Sequence, residues 1–471
     1  ASDVYKRQLK FFCIPMDVIF LSRVQFAMKI AFHYLYPPLS IGLGLILVIM
    51  ESVYIKTKNP KYKQILKFWT KIFALTFALG VATGIVMAFS FGNNWARYSR
   101  FVGDVFGSAL AAEGIFAFFL EAGFLGVLLF AWDKVSRGVH FLATICVAAG
   151  AHFSAIWITV ANSWMQTPKG FTIVGEGRQA RAVITNYWEM VFNPSSVDRL
   201  CHVILGCWLT GAFLVISISA YYLLRKRHTF FAEFSMKIGL FVAAGSLILQ
   251  LISGDSSARV VAKHQPEKLA AAEGLYKTEE STALTLFGWP SDKDQKVYGL
   301  KVPGLLSFLV FRNFHTPVQG LDQFPKEDLP PVHMVFQLYH FMLMTWGLMT
   351  FLTICALYYW KKKCLHCKPW LLKGLMASIA LPYIGNQAGW WTAEIGRQPW
   401  IVYKLLRTAD GASRLISAGQ VLTSIILFGC VYILLFALFL YLLNHKIQYG
   451  PEEHKDSQPV YRDTLHYRKE L

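Results

Sequence analysis

What most constrains this chain is a series of apolar runs, each about as long as the roughly 20 helical residues that cross a bilayer core. About nine such runs fall at 22–53, 68–92, 108–132, 138–165, 197–224, 232–252, 332–360, 369–391 and 418–445. Lipid offers backbone amides no hydrogen-bond partner, so such segments fold as helices that satisfy themselves. The expected fold class is an all-α polytopic membrane protein of about nine transmembrane helices. Composition agrees, with 55% of the 471 residues hydrophobic, 16% charged and a mean hydropathy of +0.41, and this excludes a soluble enzyme. The net charge of +18 raises nucleic acid as a partner. The basic residues form short clusters beside the apolar runs instead, which suits topology signals and lipid headgroups and leaves no nucleic-acid-reading module.

Those clusters assign sides. Lys56, Lys58, Lys61, Lys63 and Lys67 follow the first run, Lys134 and Arg137 the third, Arg225-Lys226-Arg227 the fifth and Lys361-Lys362-Lys363 the seventh. Placing these four connections in the cytoplasm puts the N-terminus outside and the C-terminus inside. The expected organisation is a non-native or disordered leader at 1–15, six spans in 16–252, a long extracytoplasmic loop at 253–330, three spans in 331–445 and a cytoplasmic tail at 446–471. Pro37-Pro38 predicts a kink within the first run. In the loop a short helix is expected over 267–280, and Pro290, Pro303, Pro317 and Gly320 break the remainder into turns. Loops of this length are usually functional. The eight cysteines show no disulfide spacing, and the Cys364-x-x-Cys367 pair has no second pair to complete a zinc site, so it reads as a reduced pair.

Ionisable and soft side chains inside apolar runs are costly and point to chemistry. The eighth run ends in Gly389-Trp390-Trp391-Thr392-Ala393-Glu394-Ile395-Gly396-Arg397-Gln398-Pro399-Trp400, which holds a carboxylate three residues from a guanidinium. Glu394 can act as an oxygen ligand with Arg397 binding a propionate, or the two can form a plain helix-end salt bridge. His33 lies in the first run, where Pro37 withholds the N–H that would bond its carbonyl, so it is a ligand or relay candidate as well as ordinary interhelical glue. His202 stands at the outer end of the fifth run and Met342 about ten residues into the seventh, which also enters from outside. They form a His plus Met pair of the kind that holds low-spin haem, although the seventh run also contains Met334, Met344 and Met349, and a methionine-rich face is more often packing than ligation. Glu113 and Glu121 are eight residues apart, broadly on one side of a helix and roughly 12 Å apart along its axis, which suits a proton relay or a structural carboxylate.

Taken together these segments resemble subunit I of the cytochrome bd quinol oxidases. The likeness runs from about Asp17 to the end of the ninth span. It rests on Leu21-Ser22-Arg23-Val24-Gln25-Phe26 before His33, Phe77-Ala78-Leu79-Gly80-Val81-Ala82-Thr83-Gly84, Gly103-Asp104-Val105-Phe106-Gly107, Val160-Ala161-Asn162-Ser163-Trp164-Met165-Gln166 and the Gly389–Trp400 motif. The loop adds Lys268-Leu269-Ala270-Ala271-Ala272-Glu273 and Leu286-Phe287-Gly288-Trp289-Pro290.

The resemblance implies a terminal respiratory oxidase subunit in a bacterial or archaeal cell membrane, oxidising quinol and reducing dioxygen to water through three haems without pumping protons. It implies a low-spin haem b on His202 and Met342. His33 would hold haem d, or a second high-spin haem b in its place, and Glu394 a high-spin haem b with Trp390 and Arg397 beside it. Glu113, Glu121, Ser154 and Asn162 would serve proton transfer, and Lys268 and Glu273 quinol oxidation in a loop of the short type, akin to the cyanide-insensitive oxidases. Implied partners are subunit II, a one-span accessory subunit, lipid, quinol and dioxygen. His340 stands where some members carry Arg, which leaves open both the propionate partner and a shifted register with Met344 as the ligand. An electron-relaying haem b subunit and an ion-coupled transporter are the rival classes. The first needs bis-His ligation, and the second tends to show related halves that this chain lacks.

Overall fold

The computed structural model describes residues 17–413 and 415–451; the expected leader at 1–15 and the tail from 452 onward lie outside the described residues. Helix α1, Val18–His33, starts on Asp17, whose carboxylate accepts from the Ile19 amide at 3.0 Å. The chain then breaks at 34–36 and resumes as α2, Pro37–Thr57, with Pro37 in the first turn, where its missing N–H costs nothing. Pro37-Pro38 thus produces the expected kink.

The other long helices are α3, Pro60–Asn93; α4, Gly103–Ala112, which runs through a π-helical stretch, Glu113–Phe118, into α5, Phe119–Phe130; and α6, Arg137–Gln166. They are followed by α7, Ser196–Leu224, and α8, Thr229–His264. The short α9, Pro266–Glu273, precedes α10, Val332–Lys361, then α11, Pro369–Ala377, α12, Ala380–Ile395, and α13, Ala418–Tyr449.

Counting α1 and α2 as one crossing and α4 through α5 as another, the described residues hold eight helices long and apolar enough to span a membrane. The expected run at 369–391 is the difference, because it forms α11 and α12 rather than one helix. Pro382 explains the break: it cannot donate to the Ser378 carbonyl and its ring crowds that oxygen, so the helix stops at Ser378 and restarts with Pro382 in the new first turn.

The centre of the bundle is α7 packed on α2, α3 and α8, around Leu43, Trp69, Phe213, Tyr222 and Phe231. At the crossing of α2 and α7 a Cβ on Gly211 would overlap the backbone of Gly42, so two glycines set the separation of these helices.

The region after the sixth span is largely folded. Helix α8 does not stop near 252; it continues to His264, and Gln265 turns it into α9, which ends at Gly274 with φ +67°. The helix expected over 267–280 is therefore shorter and begins one residue earlier. Strands β1, Phe171–Val174, and β2, Arg181–Ile184, form a small hairpin after α6. Strands β3, Leu284–Ser291, and β4, Lys296–Val302, form an antiparallel hairpin in the loop, and a last small hairpin, Trp400–Val402 with Leu406–Arg407, follows α12.

Candidate active site

One cavity of about 1760 Å³ opens among α1, α6, α7, α8, α10 and α12. That exceeds the roughly 300–1,000 Å³ that holds a single drug-sized ligand. His33, His202, Met342, Glu394 and Arg397 line it, as do Trp390, Glu113, Glu121 and Lys268. Of the expected site residues only Glu273 is not on its wall.

His33 closes α1 at the break before Pro37. Its Nδ1 lies 2.9 Å from the Thr83 hydroxyl, which leaves Nε2 toward the cavity. Gly84 makes room for it, since a Cβ there would sit 3.3 Å from the imidazole Cε1. His202 on α7 has Nδ1 at 3.2 Å from Ser253 and accepts at Nε2 from the Gln250 amide at 2.9 Å. Nε2 is therefore the lone-pair nitrogen that a metal needs, and ligation would exchange Gln250 for iron. Met342 lies against α12 where Gly389 has no side chain; a Cβ there would stand 2.7 Å from Sδ. Met344 also lines the cavity but has no such seat on α12. His340 is engaged elsewhere, its two ring nitrogens at 2.8 Å from the Phe336 carbonyl and 2.9 Å from that of Thr285 on β3.

Glu394 and Arg397, on the last turn of α12 and just beyond it, form the ion pair expected from their spacing. Asn162 donates to Glu394 Oε1 at 2.8 Å, with Gln166 farther off at 3.4 Å. Buried Arg397 spends Nη2 on Glu394 and Nε on the Trp400 carbonyl, and Nη1 has no partner among the described residues. A buried guanidinium N–H without an acceptor is a vacancy for an anionic oxygen.

Helix α6 organises the polar wall. Ser154 donates to Glu113 Oε1 at 2.6 Å, Asn162 reaches Glu394, and Gln166 accepts from the Lys268 ammonium. These three residues stand eight and four apart on one face, so a single helix links the carboxylate at the π-helical stretch to the loop lysine over roughly 18 Å. The π-helix places Glu113 and Glu121 on the same cavity; such stretches occur frequently at functional sites. Gly150 on α6 admits Glu121, because a Cβ there would overlap its Cγ.

Lys268 and Glu273 do not share a face. The buried ammonium of Lys268 donates to Gln166 and, at 2.6 Å, to Gln265, while burial and the nearby Arg199 and Arg397 hold its pKa well below the ordinary lysine value. Glu273, also buried, takes a hydrogen bond from Tyr339, and its Oε2 has no partner among the described residues. Burial pushes its pKa up to about 7. Tyr339 lines the cavity and connects Glu273 to it.

Sequence reading missed Thr83, Gln166, Gln250 and Ser253, neutral residues whose roles depend on which helices meet. It also missed Arg199, a cavity-lining charge three residues before His202 beside Asp198. Charged residues opening an apolar helix near a histidine were the available signal. Cys364 and Cys367 are free and lie outside the cavity wall.

The metal-donor side chains come singly: no group of three or more His, Cys, Asp or Glu able to enclose a bare ion occurs among the described residues. Single axial donors around a large, mostly apolar cavity, with a guanidinium N–H to spare, fit haem, whose macrocycle supplies the equatorial ligands.

Comparison with known proteins agrees. Residues 21–451 match the family described as cytochrome bd terminal oxidase subunit I. The chain is 37% identical over 462 residues to cytochrome bd ubiquinol oxidase subunit 1 of Bacillus subtilis (strain 168), covering 96% of this chain and 98% of that protein. It is 34% identical to cytochrome bd-II ubiquinol oxidase subunit 1 of Escherichia coli (strain K12), covering 94% and 99%. Among solved structures, the bd oxidase from Geobacillus thermodenitrificans superposes with a TM-score of 0.84 at 32% identity, covering 92% of this chain and 99% of that one. A bundle built around these donors, matched over nearly its whole length, makes the chain a member of the cytochrome bd terminal oxidase subunit I family.

Proposed function

We propose that this quinol oxidase subunit carries three haems around the large cavity and oxidises quinol at its outer face. His202 and Met342 would hold the low-spin haem b. His33 would hold haem d, or a second high-spin haem b in its place, and Glu394 the high-spin haem b, with Arg397 Nη1 reserved for a propionate and Trp390 packing beside it. Haems bound there would supply the electron path from quinol and the place where dioxygen is reduced to water. The observation that carries this reading is that His33, His202, Met342, Glu394 and Lys268 all face one connected space.

Around that space the chain's own groups manage protons. Glu273 accepts a quinol proton, and Lys268, its charge disfavoured by burial, hydrogen-bonds a quinone oxygen. Glu113 and Glu121, with Ser154 and Asn162, bring protons from the cytoplasmic side. Release outward and uptake from inside separate charge without a pump. The topology is an outer N-terminus, an outer quinol-binding loop at 253–330 of the short type, nine crossings with α11 and α12 together making the eighth, and an inner C-terminus. Subunit II, a one-span accessory subunit and lipid complete the assembly in a bacterial cell membrane.

A reduced-minus-oxidised spectrum of the purified complex, followed by carbon monoxide, tests the assignment. The expected result is one low-spin signal inert to carbon monoxide and high-spin signals that shift. A haem-free complex would overturn the reading, and a purely low-spin spectrum would convert it to an electron relay. Met342→Leu should remove the low-spin band alone; an unaltered band would place that ligand elsewhere.

A further inference from the structure

The β3–β4 hairpin presents one largely exposed apolar face. Phe287 pairs with Leu300 across the strands and Trp289 with Tyr298, so all four side chains stand on the same side. Their exposures are 62%, 60%, 62% and 52%. The opposite face is packed, with Pro290 and Val297 buried.

The depth of this face follows from its contacts with α10. Trp289 meets His333 edge-on at 4.5 Å, the Gly288 carbonyl accepts from Gln337 at 3.1 Å, and the Thr285 carbonyl lies 2.9 Å from His340 Nε2. The strand therefore descends beside the first two turns of a membrane-spanning helix. Counting roughly 20 residues back from Lys361, the basic inner end of that helix, puts the outer edge of the hydrocarbon core close to His340. Thr285 is level with that edge, and Trp289 stands roughly 10 Å above it, in the headgroup zone.

We infer that the hairpin is a membrane-interface anchor: Phe287, Trp289, Tyr298 and Leu300 are seated in the outer-leaflet headgroup region rather than in water. Tryptophan and tyrosine favour this zone because their rings have an apolar body and a polar edge. Lys296 lies over the Tyr298 ring at 4.5 Å, and Lys293 and Lys301 are exposed beside it, placed to reach lipid phosphates while their stems cover apolar surface. Exposed apolar residues continue down α10 at Phe341 and Phe351, which joins the hairpin face to the surface of the span. Leu284, Thr285, Leu286 and Phe287 also line the large cavity. The anchor thereby fixes the lip of the cavity at the level where lipid-soluble molecules arrive.

The test uses the complete oxidase in nanodiscs whose phosphatidylcholine carries a nitroxide on the choline headgroup, the level at which Trp289 stands. The Trp289 emission, taken as wild type minus Trp289→Phe, is expected to be quenched in nitroxide lipid relative to unlabelled lipid and retained against aqueous iodide. Emission quenched by iodide but untouched by nitroxide lipid would put the face in water and overturn the anchor. Emission reached by neither would mean that another subunit or a second copy covers it, which overturns it equally. Should Trp289→Phe disturb the hairpin, Leu300→Trp in the same discs reports from the opposite strand and is expected to gain a component with the same pattern. Each reading is a ratio between paired samples of equal haem content, because haem in the adjoining cavity quenches tryptophan emission, and none depends on turnover.

Discussion

Glu273→Gln separates a carboxylate used as a base from one used as packing. Burial raises the Glu273 pKa from its ordinary 4.5 to about 7, a difference of about 2.5, and at 1.36 kcal/mol for each tenfold change the native site disfavours the ionised form by about 3 kcal/mol. Because the folded value is the higher one, the native state holds the proton more tightly. The associated stability is fully present below 4.5 and is lost as pH rises through about 7. Glutamine cannot ionise, so the variant should be the more stable protein above neutrality, by up to about 3 kcal/mol, and the advantage should vanish in acid. Activity should move the other way. If Glu273 accepts the quinol proton, wild-type turnover has an ascending limb with a midpoint near 7, and Glu273→Gln loses that limb together with about a hundredfold or more of the rate. Thermal unfolding and quinol oxidation would be followed across pH 5 to about 9, with the haem spectrum as a check on integrity. An unchanged ascending limb in the glutamine variant would refute the base assignment, and unchanged pH dependence of stability would refute the burial argument.

Other perturbations act on neighbouring links. Gly389→Ala places a methyl 2.7 Å from Met342 Sδ, an overpacking of about 1–3 kcal/mol, and should weaken or shift the low-spin band while sparing the high-spin ones. Gln166→Leu leaves the Lys268 ammonium with Gln265 alone. The lost charge-assisted bond is about 1.5–3 kcal/mol, so the KM for quinol should rise about tenfold or more in steady-state assays without loss of haem.

Much of this arrangement was readable from the chain because a bilayer permits few solutions. Apolar runs had to be helices, Pro37 had to interrupt one, and the Glu394 to Arg397 spacing had to bring the pair together at a helix end. Other features depended on effects that hydropathy does not measure. Helix α8 passes the point where its residues turn polar because Gln250, Asp255, Ser257 and Arg259 bond to one another or to α7, so the hydrophobic signal ends at the bilayer while the helix continues. The break before α12 was legible in Pro382 but hidden by the apolar residues around it. The π-helix at Glu113 has no sequence mark at all. The link from Lys268 through Gln166 to Glu394 takes steps of 102 and 228 positions along the chain, and only the packing of α6 against the loop and α12 creates it.

The uninterrupted course of α8 has an evolutionary consequence. Gln250 and Ser253, which hold His202, share this rod with Asp255, and Lys268 follows through one tight turn at Gln265. A single inserted or deleted residue between 250 and 268 would rotate everything beyond it by about 100° and shift it by about 1.5 Å, carrying Lys268 away from Gln166. Length change in that interval should therefore be purged among functional descendants, whereas the exposed turn at 292–295 between the hairpin strands can grow or shrink at far less cost. Indel patterns, rather than residue identity, should mark where the molecule is kept to measure.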